Sequence, residues 1–257
     1  RDVTETFTGT DNLSGIKTIT LPVTVATEGK NQYVGGEVID LASNHASISA
    51  AVSIDKTAPQ IVIVAPTGKA SGTVRSAQTA AQEFPDVDIR VVDTQTISCN
   101  LGSLVLVADD MAKAGKSADE IVAKLEDMIP RGRIYFLVDT LEYLAKGGRI
   151  GGAKRLLAEL LEIKPILQIK DGQVESFEQQ RTKKRALARL VEVAVENCQG
   201  GESAHLCVLQ VEAESEAQAL VAELQSKIDV PQIPIYELPP AIVVHAGPRA
   251  MGVGFFV

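Results

Sequence analysis

Tryptophan is absent from this sequence of 257 residues, and Phe and Tyr bring the aromatic share to only 4%. Any core must therefore be built from Leu, Ile, Val and Ala, which the 45% hydrophobic content supplies amply for ordinary domains. Positive charge is also short. A formal net charge of −8 excludes a nucleic-acid backbone as the natural partner, because phosphate binding needs clustered Lys and Arg in a positive field. No apolar run approaches the length of a bilayer span, which excludes stable membrane insertion through a helix. No signal peptide is visible, and the chain opens on Arg1 rather than Met, which predicts a fragment, a processed product or a joined reading frame. The cysteines Cys99, Cys198 and Cys207 form no Cys-x-x-Cys pair, so they read as reduced, packed thiols and not as a metal site or disulfide framework. Of the histidines, His45 and His205 lack a partner cluster in sequence, and only His245 invites a functional argument. No Walker A pattern is present to bind ATP.

What is there divides near residue 60. Before it, Lys17 to Val25, Gln32 to Ile39 and Ala46 to Ile54 are runs rich in Thr, Val and Ile, separated by polar turn clusters. Such alternation predicts a β-sandwich. The stretches TGTDNLSGI, TEGKNQYV, DLASNHAS and IDKTAP resemble bacterial immunoglobulin-like repeats of secreted surface proteins, with Asp55 to Pro59 as a linker. After residue 60, apolar strand runs alternate with amphipathic stretches, which predicts a three-layer α/β arrangement. Helices are expected at Val74 to Phe84, Leu101 to Ala114, Ala118 to Met128, Leu141 to Lys146, Ala153 to Leu161, Lys183 to Glu196 and Glu216 to Lys227. The third opens on a Ser117-x-x-Glu120 capping box. Strands are expected at Ile61 to Ala65, Ile89 to Val92, Arg133 to Val138, Ile163 to Ile169, Gln173 to Gln179, His205 to Val211, Pro234 to Glu237 and Ala241 to His245. Asp171-Gly172 between two of them signals a type I′ hairpin.

Four places carry candidate chemistry. Ser71-Gly72-Thr73 stands where a strand hands over to a helix, so a hydroxyl at the N-cap and free backbone N–H groups favour a carboxylate or phosphate oxygen. By itself it also reads as a plain helix cap worth about 1 kcal/mol. Gly147-Gly148-Arg149-Ile150 ends a short helix with a planar cation suited to carboxylate or phosphate, or with a solvated C-cap arginine. Arg181, ahead of Thr182-Lys183-Lys184-Arg185, reads as a charged helix face or as part of a cationic opening. His245 precedes Ala246-Gly247-Pro248-Arg249 and can aim an imidazole N–H at an oxyanion.

Together the segment YFLVDTLEYLAKGGRI from Tyr135 to Ile150, the closing HAGPR, the Ser71-Gly72-Thr73 turn and the Arg181-Thr182-Lys183-Lys184 run resemble the DegV family of fatty-acid-binding proteins, in the family's order, over about Ile61 to Val257. The resemblance implies a two-part α/β fold, with a first subdomain at residues 60–138 and a second at 139–257. It implies a non-catalytic, cytoplasmic subunit without cofactor or metal, which holds a long-chain fatty acid and presents its carboxylate to a separate ATP-dependent fatty acid kinase for acyl-phosphate formation. It assigns Ser71, Gly72, Thr73 and His245 to the carboxylate, and Arg149 and Arg181 to the phosphate or the kinase. Arg249 stands where the family usually has glycine. Residues before Ile61 do not resemble the family's opening units, so the expected architecture is multidomain: an immunoglobulin-like β-sandwich at 1–59 followed by a DegV-like fold with a truncated first subdomain and an impaired pocket. The alternative is a structural or adhesive fragment of an extracellular repeat protein, chimeric with a non-functional DegV-like remnant.

Overall fold

In the computed structural model, residues 2–56, 59–157 and 163–257 are described. The chain divides into two compact units, Arg1–Pro59 and Gln60–Val257. The first holds β1 (Val3–Glu5), β2 (Ile16–Ile19), β3 (Val23–Val25), β4 (Gly29–Asp40) and β5 (His45–Ile54). Pro22, which cannot donate a ladder hydrogen bond, separates β2 from β3 where one strand was expected. β1 and β3 pair antiparallel, and β2, β4 and β5 make a separate three-stranded antiparallel sheet.

These strands do not make the expected immunoglobulin-like sandwich. That fold needs about seven strands whose inward faces interleave, whereas five are found here among the described residues. β2 is exposed at every residue, Leu21, Tyr33 and Ile48 are exposed, and the buried apolar residues are Val25, Val52 and Ile54. His45 is bonded to Glu37 at 2.7 Å on the exposed surface. Of the expected linker, Thr57 and Ala58 lie outside the described residues.

The second unit begins with β6 (Ile61–Ala65), α1 (Thr73–Ala81) and β7 (Ile89–Asp93), a parallel βαβ turn. Next come α2 (Ser98–Lys113), α3 (Ala118–Met128) and β8 (Gly132–Leu137). α2 and α3 cover this pair of strands through Leu104, Ile121, Leu125 and Met128 against Val92. α3 starts with the predicted capping box: Ser117 Oγ accepts from Glu120 N at 3.3 Å, and Ser117 N donates to Glu120 Oε2 at 2.9 Å. The Lys116 ammonium and the Ser117 donors bring the Glu120 carboxyl down from 4.5 to about 2. A depressed folded pKa contributes stability that is present above the unfolded value and lost as pH falls through about 2. Glu120→Gln should therefore melt below the wild type at neutral pH, with the gap closing toward pH 2; a constant gap in thermal denaturation across that range would contradict this.

Then follow α4 (Glu142–Lys146), a 3₁₀ turn at Gly151–Leu156, β9 (Lys164–Lys170), β10 (Gln173–Gln180), α5 (Lys183–Asn197), β11 (Cys207–Gln210), α6 (Glu214–Gln225), β12 (Ile235–Glu237), α7 (Pro240–Ala246) and β13 (Met251–Phe256). Six strands form one sheet in the order β10-β9-β8-β13-β11-β12, antiparallel except for β11 with β12. β8, expected to close the first α/β part, lies inside this sheet between β9 and β13. α5 and α6 pack against it through Leu190, Val191, Val193, Ala217, Leu220 and Leu224, meeting Ile166, Val208, Val253 and Phe255. Asp171 and Gly172 both have positive φ, 49° and 77°, as a type I′ turn requires.

Two local expectations fail, and one strand goes unforeseen. Residues 241–245 are helical: Pro239 stands at the N-cap and Pro240 takes the first turn, where a missing N–H costs nothing. The run Ala153 to Leu161 was expected as α-helix, but Gly151–Leu156 is a 3₁₀ turn, and Leu160 and Leu161 lie outside the described residues. β13 was not foreseen, because Gly252 and Gly254 interrupt its apolar pattern. Their purpose is room: a Cβ on Gly252 would stand 2.6 Å from Tyr135 O, and one on Gly254 would overlap Cys99 Sγ. All three cysteines are free and buried, and the Cys207 side chain and burial together hold the Cys99 thiol well above its ordinary range.

Candidate functional site

The loop from Pro66 to Gly72 carries the first candidate. Its fixed point is Thr67, 1% exposed. Thr67 N donates to Thr96 O at 2.9 Å, and Thr67 O accepts from Ser71 N at 3.0 Å and Ala70 N at 3.2 Å. Ser71 therefore sits one residue before the cap of α1, which is Gly72, and its hydroxyl bonds Thr73 Oγ1 at 2.8 Å. The expectation of a hydroxyl at the N-cap itself is off by one residue. Gly72 and Thr73 are exposed on the outside of this turn, whereas Ser71 is half-buried.

Ser71 faces a cavity of about 440 Å³ that also takes in Arg149 and His245. The remaining walls are largely apolar, including Ile97, Leu101, Ile134, Phe136, Leu209 and Leu238. Such a space, about the size of a small-molecule site (roughly 300 to 1,000 Å³), pairs a greasy interior with a few convergent polar groups. Two larger clefts, of about 780 and 500 Å³, hold none of the expected head-group residues and mix charges with their apolar walls, Arg90, Glu126 and Lys170 in the first and Asp109 and Lys116 in the second.

His245 lies near the end of α7 and is half-buried. Its Nδ1 is packed against Gly147, where a Cβ would overlap it, and is the one buried side-chain nitrogen or oxygen without a hydrogen-bond partner among the described residues. An N–H buried there would lack an acceptor, so the ring proton belongs on Nε2, which makes Nε2 a donor. Gly147 thus has a reason beyond ending α4: it lets the imidazole seat closely. Arg149 donates from Nε to Ala70 O at 3.0 Å and from Nη1 to Gly147 O at 2.6 Å. The guanidinium accordingly ties the Ser71 loop to the glycine-rich segment.

Arg181 is placed differently. It is exposed in the bend between β10 and α5, has no ion-pair partner among the described residues and does not line the cavity. Arg249, in a left-handed conformation with φ 57°, lies 3.6 Å from Asp139 and 3.9 Å from Glu216, outside the cavity lining. The structure thus brings Ser71, Arg149 and His245 to one cavity and leaves Gly72, Thr73 and Arg181 on the surface. Sequence reasoning passed over Thr67 and Lys69. The signal available was Pro-Thr-Gly-Lys directly after an apolar strand, a turn with a hydroxyl in it.

A family described as "Uncharacterised protein, DegV family" matches residues 21–257. A DegV domain-containing protein of Streptomyces coelicolor is 39% identical over 184 residues, 71% of this chain and 65% of its own length. One from Deinococcus radiodurans is 40% identical over 186 residues, 72% of this chain and 66% of its own. The chain thus matches just under two thirds of the length of these relatives. Among solved structures, a fatty-acid-binding DegV family protein from Thermus thermophilus is 33% identical with TM-score 0.68, covering 77% of this chain and 70% of that one. A fatty acid binding DegV family protein from Streptococcus agalactiae is 28% identical with TM-score 0.70 over the same shares. Because the family match starts at residue 21 and runs through the junction near residue 60, one α/β fold of this family accounts for most of the chain. The separate immunoglobulin-like repeat, the truncated first subdomain and the chimeric alternative are overturned by that continuity.

Proposed function

This chain belongs to the DegV family, and on that footing we propose that it binds a long-chain fatty acid in the cavity beside Ser71 and His245 and presents the carboxylate to a separate ATP-dependent kinase. The observation that carries the reading is one cavity with apolar walls that also takes in a hydroxyl, an imidazole and a guanidinium. Burying an acyl tail is worth about 0.8 kcal/mol per methylene, so the tail supplies affinity and the polar groups orient the head. Ser71 and His245 Nε2 donate to the carboxylate, with the positive end of α1 at the Gly72-Thr73 turn adding to the field there. Arg149 and the surface Arg181 serve the phosphoryl product or the kinase. In this role the chain is not the catalyst, needs no cofactor and works in the cytoplasm, where a kinase finds ATP. No helix among the described residues is long and apolar enough to cross a membrane.

Native mass spectrometry of the chain purified from cells should show co-purifying acyl chains of about one per molecule. Folded protein that carries none and ignores added oleate would sink the reading. Arg181→Ala should leave oleate binding intact and slow acyl-phosphate formation by an added fatty acid kinase.

A further inference from the structure

The type I′ turn at Asp171-Gly172 reaches across to the loop that carries Ser71. Thr67 Oγ1 donates to Gly172 O at 3.1 Å, and Lys69 Nζ donates to Asp171 O at 2.8 Å. The same Thr67 hydroxyl accepts from Lys69 N at 3.3 Å. Glycine at 172 is required twice over: its φ is 77°, and a Cβ there would overlap Thr67 Oγ1. Thr67, Lys69 and Gly172 all line the cavity. Thr67 thus gathers five hydrogen bonds: two through its hydroxyl and three through its backbone, including the one that holds the Ser71 amide. A threonine this deeply buried, with its side chain spent on a turn about a hundred residues away in sequence, has been given a task that a plain loop residue does not need.

We infer that Thr67 is a positioning residue for the carboxylate-binding end of the cavity: by clasping the Asp171-Gly172 turn, with Lys69 as the second tie, it fixes the height and direction of Ser71. This rests on the fatty-acid reading above for its functional consequence. The clasp itself is a property of the fold and is measurable without ligand. Thr67→Val keeps the branched shape and both backbone groups while deleting the hydroxyl. Thr67→Ser restores the donor.

Two measurements on the full chain test the inference. Hydrogen–deuterium exchange should rise together in 66–72 and 171–174 on Thr67→Val, and return to the wild-type level in Thr67→Ser. Oleate affinity should fall about fivefold to tenfold in Thr67→Val, the equivalent of one lost hydrogen bond, while methyl oleate, which lacks the charged head, binds as before. If oleate and methyl oleate lose affinity equally, or if exchange at 171–174 does not change, the inference is overturned. If exchange responds as expected but the wild type binds neither probe, the clasp stands and the fatty-acid reading falls. Should Thr67→Val fail to fold, Lys69→Met cuts the other tie from an exposed side chain and should raise exchange in the same two segments; no rise there would overturn the clasp.

Discussion

His245→Ala lowers the affinity for oleate by about 10-fold to 100-fold and leaves methyl oleate nearly untouched. The expectation follows from what the imidazole can offer. Nδ1 is sealed against Gly147 without a partner, so Nε2 carries the proton and is the ring's available donor. A hydrogen bond to a charged acceptor is worth about 1.5 to 3 kcal/mol, and each 1.4 kcal/mol is tenfold in affinity. The uncharged ester gains little from that donor and so loses little without it. Ser71→Ala should show the same selectivity. Because both donors serve one carboxylate, the double variant should lose less than the sum of the two singles. Isothermal titration with the two ligands decides it: equal losses for acid and ester would mean that His245 merely shapes the wall.

Which parts of this were legible beforehand follows from the range over which each signal acts. The Ser117–Glu120 capping box and the Asp171-Gly172 turn were readable because their chemistry is local: the residues that satisfy the backbone are three positions apart or adjacent. The order of the family motifs was readable for a related reason, since each is a short string. Residues Ala241 to His245 misled because a β-branched run has strand preference, and only the Pro-Pro start spoke for a helix. Preference lost to packing, with Ala246 buried against its neighbours.

The β-rich opening misled in another way. Alternation between polar and β-branched residues is the same in any antiparallel pair, and it does not reveal how many strands share a core. Here two small sheets leave most side chains exposed, and the family match crosses from residue 21 into the α/β unit. Among the candidate site residues, Ser71, Arg149 and His245 come to line one cavity, but the place of Arg181 could not be read. Whether a cation in a bend faces a cavity or solvent depends on strand direction and hairpin length, which no short motif encodes. The turn that holds Thr67 left a trace in Pro-Thr-Gly-Lys, but its clasp did not, since its partner is the backbone carbonyl of Gly172, and a carbonyl has no sequence signature.

The largest structural effect is expected at Gly254. β13 is the strand that joins β8 to β11, so a fault in it is shared by both neighbours. A methyl on Gly254 would overlap Cys99 Sγ and stand 2.8 Å from Asn100 Oδ1. Asn100 is 1% exposed, and its Nδ2 donates to Arg133 O at 3.2 Å and Phe255 O at 3.4 Å, linking the start of α2 to both strands. The added methyl therefore has to displace a buried thiol or a buried amide, and the second choice takes the Asn100 Nδ2 donor away from the two carbonyls it now reaches. Overpacking of this kind costs typically 1 to 3 kcal/mol, with about 1 to 3 kcal/mol more for each polar group left unpaired. Gly254→Ala should thus lower the urea midpoint markedly at unchanged slope. Cys99→Ala vacates the space that the new methyl needs, so it should recover part of the loss in the double variant while costing stability by itself. A Gly254→Ala protein as stable as the wild type, or a double variant whose losses simply add, would show that β13 does not need the space now filled by Cys99.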